Sequence, residues 1–293
     1  MAEWKPRVLV VGPGGLKGFC ELGALDYLHY KTTILSECKT FVGVSVGAII
    51  SLLYVVGYEP RDIVLEMMDL KIDPSLSSLS IEDIIHQGGL FPQTVIEEQL
   101  MHLVKKKLGY VPSLKRLNTI TGKEFGCVAY NQTKNRSEYL SHKTTADMNC
   151  VKAVQLSCNL PGFFQRQSFR DDEFRDGAIC DPYPLKRFDD GATPILGIWV
   201  STIHTSTHSK DIRGIIDEAL RYVMLLINNL RDAEKKELSD NCKHLEITTI
   251  QRNVIAMSVN CDAVASMLLE GFESAEEFSR SIGHSMLITP IDE

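Results

Sequence analysis

Within its first 56 residues the chain runs from a short apolar segment through a glycine loop and a helical stretch. A second apolar segment, a tight glycine-flanked turn and another helical stretch follow. No other feature restricts the fold so strongly. Residues 7–11 (Arg-Val-Leu-Val-Val) form a β-branched run that stops at Gly12-Pro13-Gly14-Gly15, the composition and boundary of a buried strand. Phe19, Leu22, Leu25 and Leu28 then recur along one side of a helix. Residues 40–44 (Thr-Phe-Val-Gly-Val) lead into Ser45, and Val46 to Tyr54 reads as a second buried helix. Strand, loop, helix, strand, turn, helix is how an α/β fold with a parallel sheet begins.

Further along, amphipathic helices are expected from Glu59 to about Lys123, divided by residues 73–78 (Asp-Pro-Ser-Leu-Ser-Ser) and by Gly88-Gly89. This region, 59–123, reads as an inserted helical cap over the site. Residues 124–130 and 193–203 read as further strands, with a helix over 147–156 that ends before Asn159-Leu160-Pro161. In 212–230, Ile215, Ile216, Ala219, Leu220, Val223, Met224, Ile227 and Leu230 stand at helical spacing. Such a stripe packs on a sheet or leans into a membrane interface. No repeat, low-complexity tract or linker interrupts the chain, so residues 1–293 are expected to form one domain, with 212–293 as its helical C-terminal part.

Composition narrows the function classes. A formal net charge of −7 argues against a nucleic-acid-binding protein, and the densest basic run, Lys105-Lys106-Lys107, follows Glu97 and Glu98 on what reads as a solvated helix face. No 18-residue apolar stretch is present, and the N-terminus lacks the basic, apolar, small-residue order of a signal peptide. Eight scattered cysteines without a C-x-x-C pair read as reduced, mostly buried thiols of a cytoplasmic protein, with no metal site. Two glycosylation sequons, at Asn131 and Asn135, then match by chance.

Gly43-Val44-Ser45-Val46-Gly47 fits G-x-S-x-G at a strand-to-helix junction, where the turn lifts the serine out at the N-terminus of a helix. Gly12-Pro13-Gly14-Gly15-Leu16-Lys17-Gly18 lies between the first strand and first helix, where backbone N–H groups are unpaired. Two such loops at neighbouring strand ends bring donors close to the serine, as an oxyanion requires. A phosphate cradle is the competing use, but Lys17 replaces the third glycine of G-x-G-x-x-G, and G-x-x-x-x-G-K-[ST] is absent. Only two strands precede Ser45, fewer than in Ser-His-Asp α/β-hydrolases. Of the eight histidines, His204 and His208 are the least implausible triad partners.

In their order along the chain, the glycine loop with Lys17 and Gly18, the Gly43–Gly47 motif and Asp176-Gly177-Ala178 resemble the patatin-like phospholipase family. Residues 153–164 (Ala-Val-Gln-Leu-Ser-Cys-Asn-Leu-Pro-Gly-Phe-Phe) are similar to the family's stretch ahead of its catalytic aspartate, and Asp181-Pro182 to the stretch after it. The resemblance covers about 7–200. It implies a three-layer α/β fold, a mostly parallel central sheet flanked by helices, and a Ser-Asp dyad. Ser45 is then the nucleophile, Asp176 its base, and the amides of Gly14, Gly15 and Leu16 the oxyanion donors.

Two departures stand out: Pro13 occupies the first of the family's three loop glycines and carries no N–H, and Asp181 stands where asparagine is usual. Asp190-Gly191-Ala192 repeats the aspartate motif, but without the flanking segments it reads as a solvated turn. The resemblance further implies a lipid or phospholipid substrate met in transient contact with a membrane surface, and activity without calcium or any cofactor. A catalytically silent lipid- or partner-binding protein and a Ser-His-Asp esterase of small esters remain the alternatives.

Overall fold

The computed structural model describes residues 3–69, 86–203, 212–250 and 261–284. Its strands, in chain order, are β1 (Val8–Val11), β2 (Thr40–Gly43), β3 (Gly89–Phe91), β4 (Glu124–Asn131), β5 (Arg136–Ser141), β6 (Gly162–Phe164), β7 (Gln167–Phe169), β8 (Asp172–Asp176), β9 (Ile195–Ile203) and β10 (Cys242–Ile250). The helices are α1 (Gly18–Lys31), α2 (Val46–Val56), α3 (Pro60–Met68), α4 (Thr94–Leu108), α5 (Leu114–Thr121), α6 (Cys150–Ser157), α7 (Ile212–Lys235) and α8 (Cys261–Ser281).

Five strands, in the order β10-β9-β1-β2-β4, run parallel, and β5, β8 and β7 complete the sheet through antiparallel pairs. The alternating side chains of β1 show why both faces are covered. Leu9 and Val11 join Phe41, Phe125, Ile198 and Ile247 under α1, α2, α6 and α8, whereas Val8 and Val10 join Val42, Val128 and Trp199 on the opposite face. There Ile227, Val223 and Met224 of α7 and the buried Tyr183 and Leu185 close the core.

Between α2 and β4 the described chain is helical except for β3, which pairs in parallel with β6 as a separate two-stranded sheet. Residues 73–78 lie outside the described residues, as do His204 and His208. The C-terminal part is not wholly helical, because Cys242–Ile250 adds strand β10 to the sheet edge beside β9. Its inward side chains, Leu245 and Ile247, alternate with polar ones, the period of a strand with one covered face. Among the described residues no helix is long and apolar enough to cross a membrane.

β4 positions the site. Gly126 and Cys127 pair with β2 on one side and β5 on the other, and Ala129 to Asn131 pair with β8 and β5. β8 therefore takes up the edge of β4 that β2 leaves free. Gly43, the last residue of β2, faces Cys127, and Asp176, the last of β8, faces Ala129 two residues on, about 7 Å along the strand. Ser45 lies two residues beyond Gly43, so the shared ruler delivers both residues to one place.

Candidate active site

Ser45 sits between β2 and α2 with φ 56° and ψ −125°, a conformation that costs a non-glycine residue on the order of 1–3 kcal/mol. Its flanking glycines are required by crowding. A Cβ on Gly43 would lie 2.1 Å from the Gly47 carbonyl oxygen, and one on Gly47 would lie 2.3 Å from that of Val11 and 2.5 Å from that of Gly12. The same contacts press α2 onto the loop after β1.

That loop is held at both ends against the serine turn, Gly12 beside Gly47 and Gly18 beside Val46. Gly12 N–H is engaged by the Ile198 carbonyl at 3.0 Å, and Pro13 has no N–H. From Gly14 the chain enters a 3-10 turn, Gly15–Lys17, with Gly15 at φ 56°, that leads directly into α1. The first N–H groups of such a turn have no acceptor within it. Lys17 has a partner on a strand of the sheet. Its Nζ donates to Thr202 Oγ1 at 2.7 Å at the end of β9, and burial lowers its pKa. It ties the glycine loop to the sheet.

Asp176 is 1% exposed, and its carboxylate accepts the Ala178 N–H at 2.9 Å. Burial pushes the Asp176 carboxyl up to about 7, against the opposing pull of the Ala178 N–H and of the Ser45 side chain. Gly177 and Ala178 continue as a buried 3-10 turn that packs against α7. The Asp176 N–H donates to the Asn159 carbonyl at 2.8 Å, and the Asn159 side-chain amide donates to Phe174 O at 2.8 Å. The whole β8 end is thereby anchored to the segment after α6.

Asp181 accepts Arg187 Nε at 2.6 Å, with Arg187 Nη2 on Ser137 Oγ at 2.6 Å, so an acid at this position recruits a guanidinium that an asparagine would hold less firmly. Asp190 is exposed and accepts N–H groups from Thr193 and Ala192 at 2.6 and 2.9 Å. The described histidines with a ring hydrogen bond find it away from the serine: His29 to Tyr54, His244 to Tyr183, His284 to Trp4 O. All eight cysteines are free thiols, and among the described residues no group of three or more His, Cys, Asp or Glu side chains could hold a metal ion.

A mostly parallel sheet carries a strained serine at a strand-to-helix turn, a glycine loop beside it and, at the end of β8, a buried aspartate within electrostatic reach of that serine. The family model for patatin-like phospholipases matches residues 9–189, well over half of the sequence, and the chain belongs to that family. It is 29% identical over 182 residues to the probable lipid hydrolase 463L of Invertebrate iridescent virus 6, covering 61% of this chain and 62% of that protein. An uncharacterised protein of Acanthamoeba polyphaga mimivirus, R571, is 26% identical over 235 residues, covering 79% of this chain and 74% of the relative. The chain thus spans somewhat under two thirds of the length of the first relative and about three quarters of the second. Among solved structures, VipD from Legionella pneumophila superposes with a TM-score of 0.56 at 18% identity, over 94% of this chain and 67% of that one, a likeness of fold.

Proposed function

We propose that the chain is a serine lipid acyl hydrolase that cleaves acyl esters of phospholipids or lysophospholipids through a Ser45–Asp176 dyad. Ser45 Oγ attacks the ester carbonyl as Asp176 takes its proton, and the oxyanion is met by the free amides of the Gly14, Gly15 and Leu16 loop. Collapse expels the alcohol, which regains the proton, and leaves an acyl-serine. Water, deprotonated by the same aspartate, then releases the fatty acid.

One observation carries this reading: the Ser45 side chain acts on a buried carboxylate, that of Asp176, whose pKa near 7 suits a base at neutral pH. No metal step is needed, so activity is expected to persist in chelator. Tyr222, Leu225 and Leu226 on α7 are exposed, at 59%, 49% and 67%, and favour transient contact with a lipid surface. The test is a fluorophosphonate probe with fatty-acid release from phospholipid vesicles, in wild type, Ser45→Ala and Asp176→Asn. Labelling at Ser45 and release lost in both variants support the dyad. Lipid binding without labelling or release would instead make the chain a silent lipid-binding protein.

A further inference from the structure

The Ser45 turn raises a question that the dyad leaves open. A residue at φ 56° cannot extend the β2 ladder, so its N–H needs an acceptor from elsewhere. That acceptor is the side chain of Ser157, 112 residues further along, whose Oγ stands 3.2 Å from Ser45 N. The next residue, Cys158, donates its thiol to Ser45 O at 3.0 Å, on an oxygen that also receives Ala48 N–H at 2.8 Å. The residue after that, Asn159, accepts the Asp176 N–H at 2.8 Å. Three consecutive residues thus hold both backbone polar groups of the serine and the backbone N–H of the aspartate.

The platform beneath them is firm. Ser157, Cys158 and Asn159 are all buried, and α6 is capped at its start by Asn149, whose side chain accepts Val151 N–H at 2.8 Å. Cys158 N–H closes the end of that helix on Val154 O at 2.9 Å, and Cys127 of β4 donates to Ala153 O at 3.3 Å. β4 is the strand that sets the spacing of β2 and β8, so α6 is referenced to the same frame.

We propose that Ser157, Cys158 and Asn159 form a positioning clamp that keeps the strained Ser45 backbone and the Asp176 backbone in a single frame. Its relevance to turnover rests on the dyad reading, but its existence does not. Ser157 and Cys158 touch no substrate atom in this scheme; they act through Ser45.

The experiment compares Ser157→Ala, Cys158→Ala and Cys158→Ser with Val154→Ala, a buried control on the same helix. For each, the second-order rate of fluorophosphonate labelling, kcat and KM on vesicles, the thermal midpoint and the amide exchange rate of Ser45 by NMR are measured. Removing either clamp side chain is expected to lower kcat and the labelling rate by about tenfold to a hundredfold with KM within about twofold, as misplaced reacting groups do. Ser45 amide exchange should quicken in Ser157→Ala. Cys158→Ser, which keeps a donor, should recover most of the loss, and it tests the idea if Ser157→Ala does not fold. The control should lower the midpoint and leave labelling and Ser45 exchange near wild type.

Wild-type labelling with unchanged Ser45 exchange in Ser157→Ala would overturn the clamp, as would equal losses in the control. If wild type itself fails to label at Ser45, the dyad reading falls instead, and the exchange rates, which need no turnover, still decide the clamp.

Discussion

Two tripeptides in this chain read Asp-Gly-Ala, at 176–178 and at 190–192, and they share one local hydrogen bond on different backbones. In each, the aspartate carboxylate accepts the N–H of the alanine two residues on, at 2.9 Å both times. Their chemistry is opposite. Asp190 is exposed, and the N–H groups of Thr193 and then Ala192 hold it down at about 2. Asp176 is buried at the end of β8, and loss of water drives it up to about 7. A turn motif sets a hydrogen bond; whether the carboxylate in it is a structural anion or a base is decided by what excludes water around it.

The largest test of this contrast is substitution by asparagine, which keeps the turn and removes the charge. Asp176→Asn is expected to lower fatty-acid release on the order of 10^4-fold, the scale seen when a nucleophile loses its partner, whereas Asp190→Asn should stay within about twofold. Equal losses in vesicle assays would break the comparison.

The pH profile should separate the two groups next. With Asp176 as base, kcat/KM should rise with unit slope through a midpoint near pH 7 and have no limb near pH 2 that belongs to Asp190. An acidic limb centred near pH 4 would mean that the catalytic carboxyl is not a buried one.

Stability should then move in opposite directions. The folded pKa of Asp176 lies above that of the unfolded chain, so wild type is stabilised by its protonated form and loses that contribution as pH rises from about 4 to about 7. Asp176→Asn should therefore become the more stable protein above pH 7, by on the order of 1–4 kcal/mol in denaturant titrations, with no gain near pH 4. Asp190 has a lowered pKa, so its ionised form contributes stability above about pH 4 that fades as pH falls towards 2. Its asparagine variant should be no more stable than wild type at neutral pH.

The neighbouring glycines offer the smallest contrast. A Cβ on Gly177 would lie 2.2 Å from Val128 O, and Gly177→Ala is expected to cost about 2 kcal/mol or more and most of the activity. Gly191 has φ 77° with open space around it, so Gly191→Ala should cost about 1 kcal/mol and leave turnover intact.

Much of the scaffold was legible because apolar content and glycine boundaries mark it. β1, β2, β4, β9, α1, α2 and α6 all fall where the sequence places them, for each is a run of buried apolar residues or a regular stripe. β8 was not legible. Asp-Glu-Phe-Arg-Asp looks like a loop, and only its pairing with β4 and β7 makes it a strand. β10 was read as part of a helical region, and β3 and β6 are too short to carry a period. The bonds from Ser157 and Cys158 to Ser45 join residues more than 100 positions apart, and no local pattern announces a side chain that serves a distant backbone.

By itself the sequence determined the strand–turn–helix geometry at Ser45 and the loop before α1, since glycine placement and hydrophobic period act within a few residues of chain. Which aspartate lies beside that serine was decided only by the tertiary structure. β4 aligns the ends of β2 and β8, and the packing around them removes the water that would otherwise hold Asp176 at an ordinary carboxylate pKa.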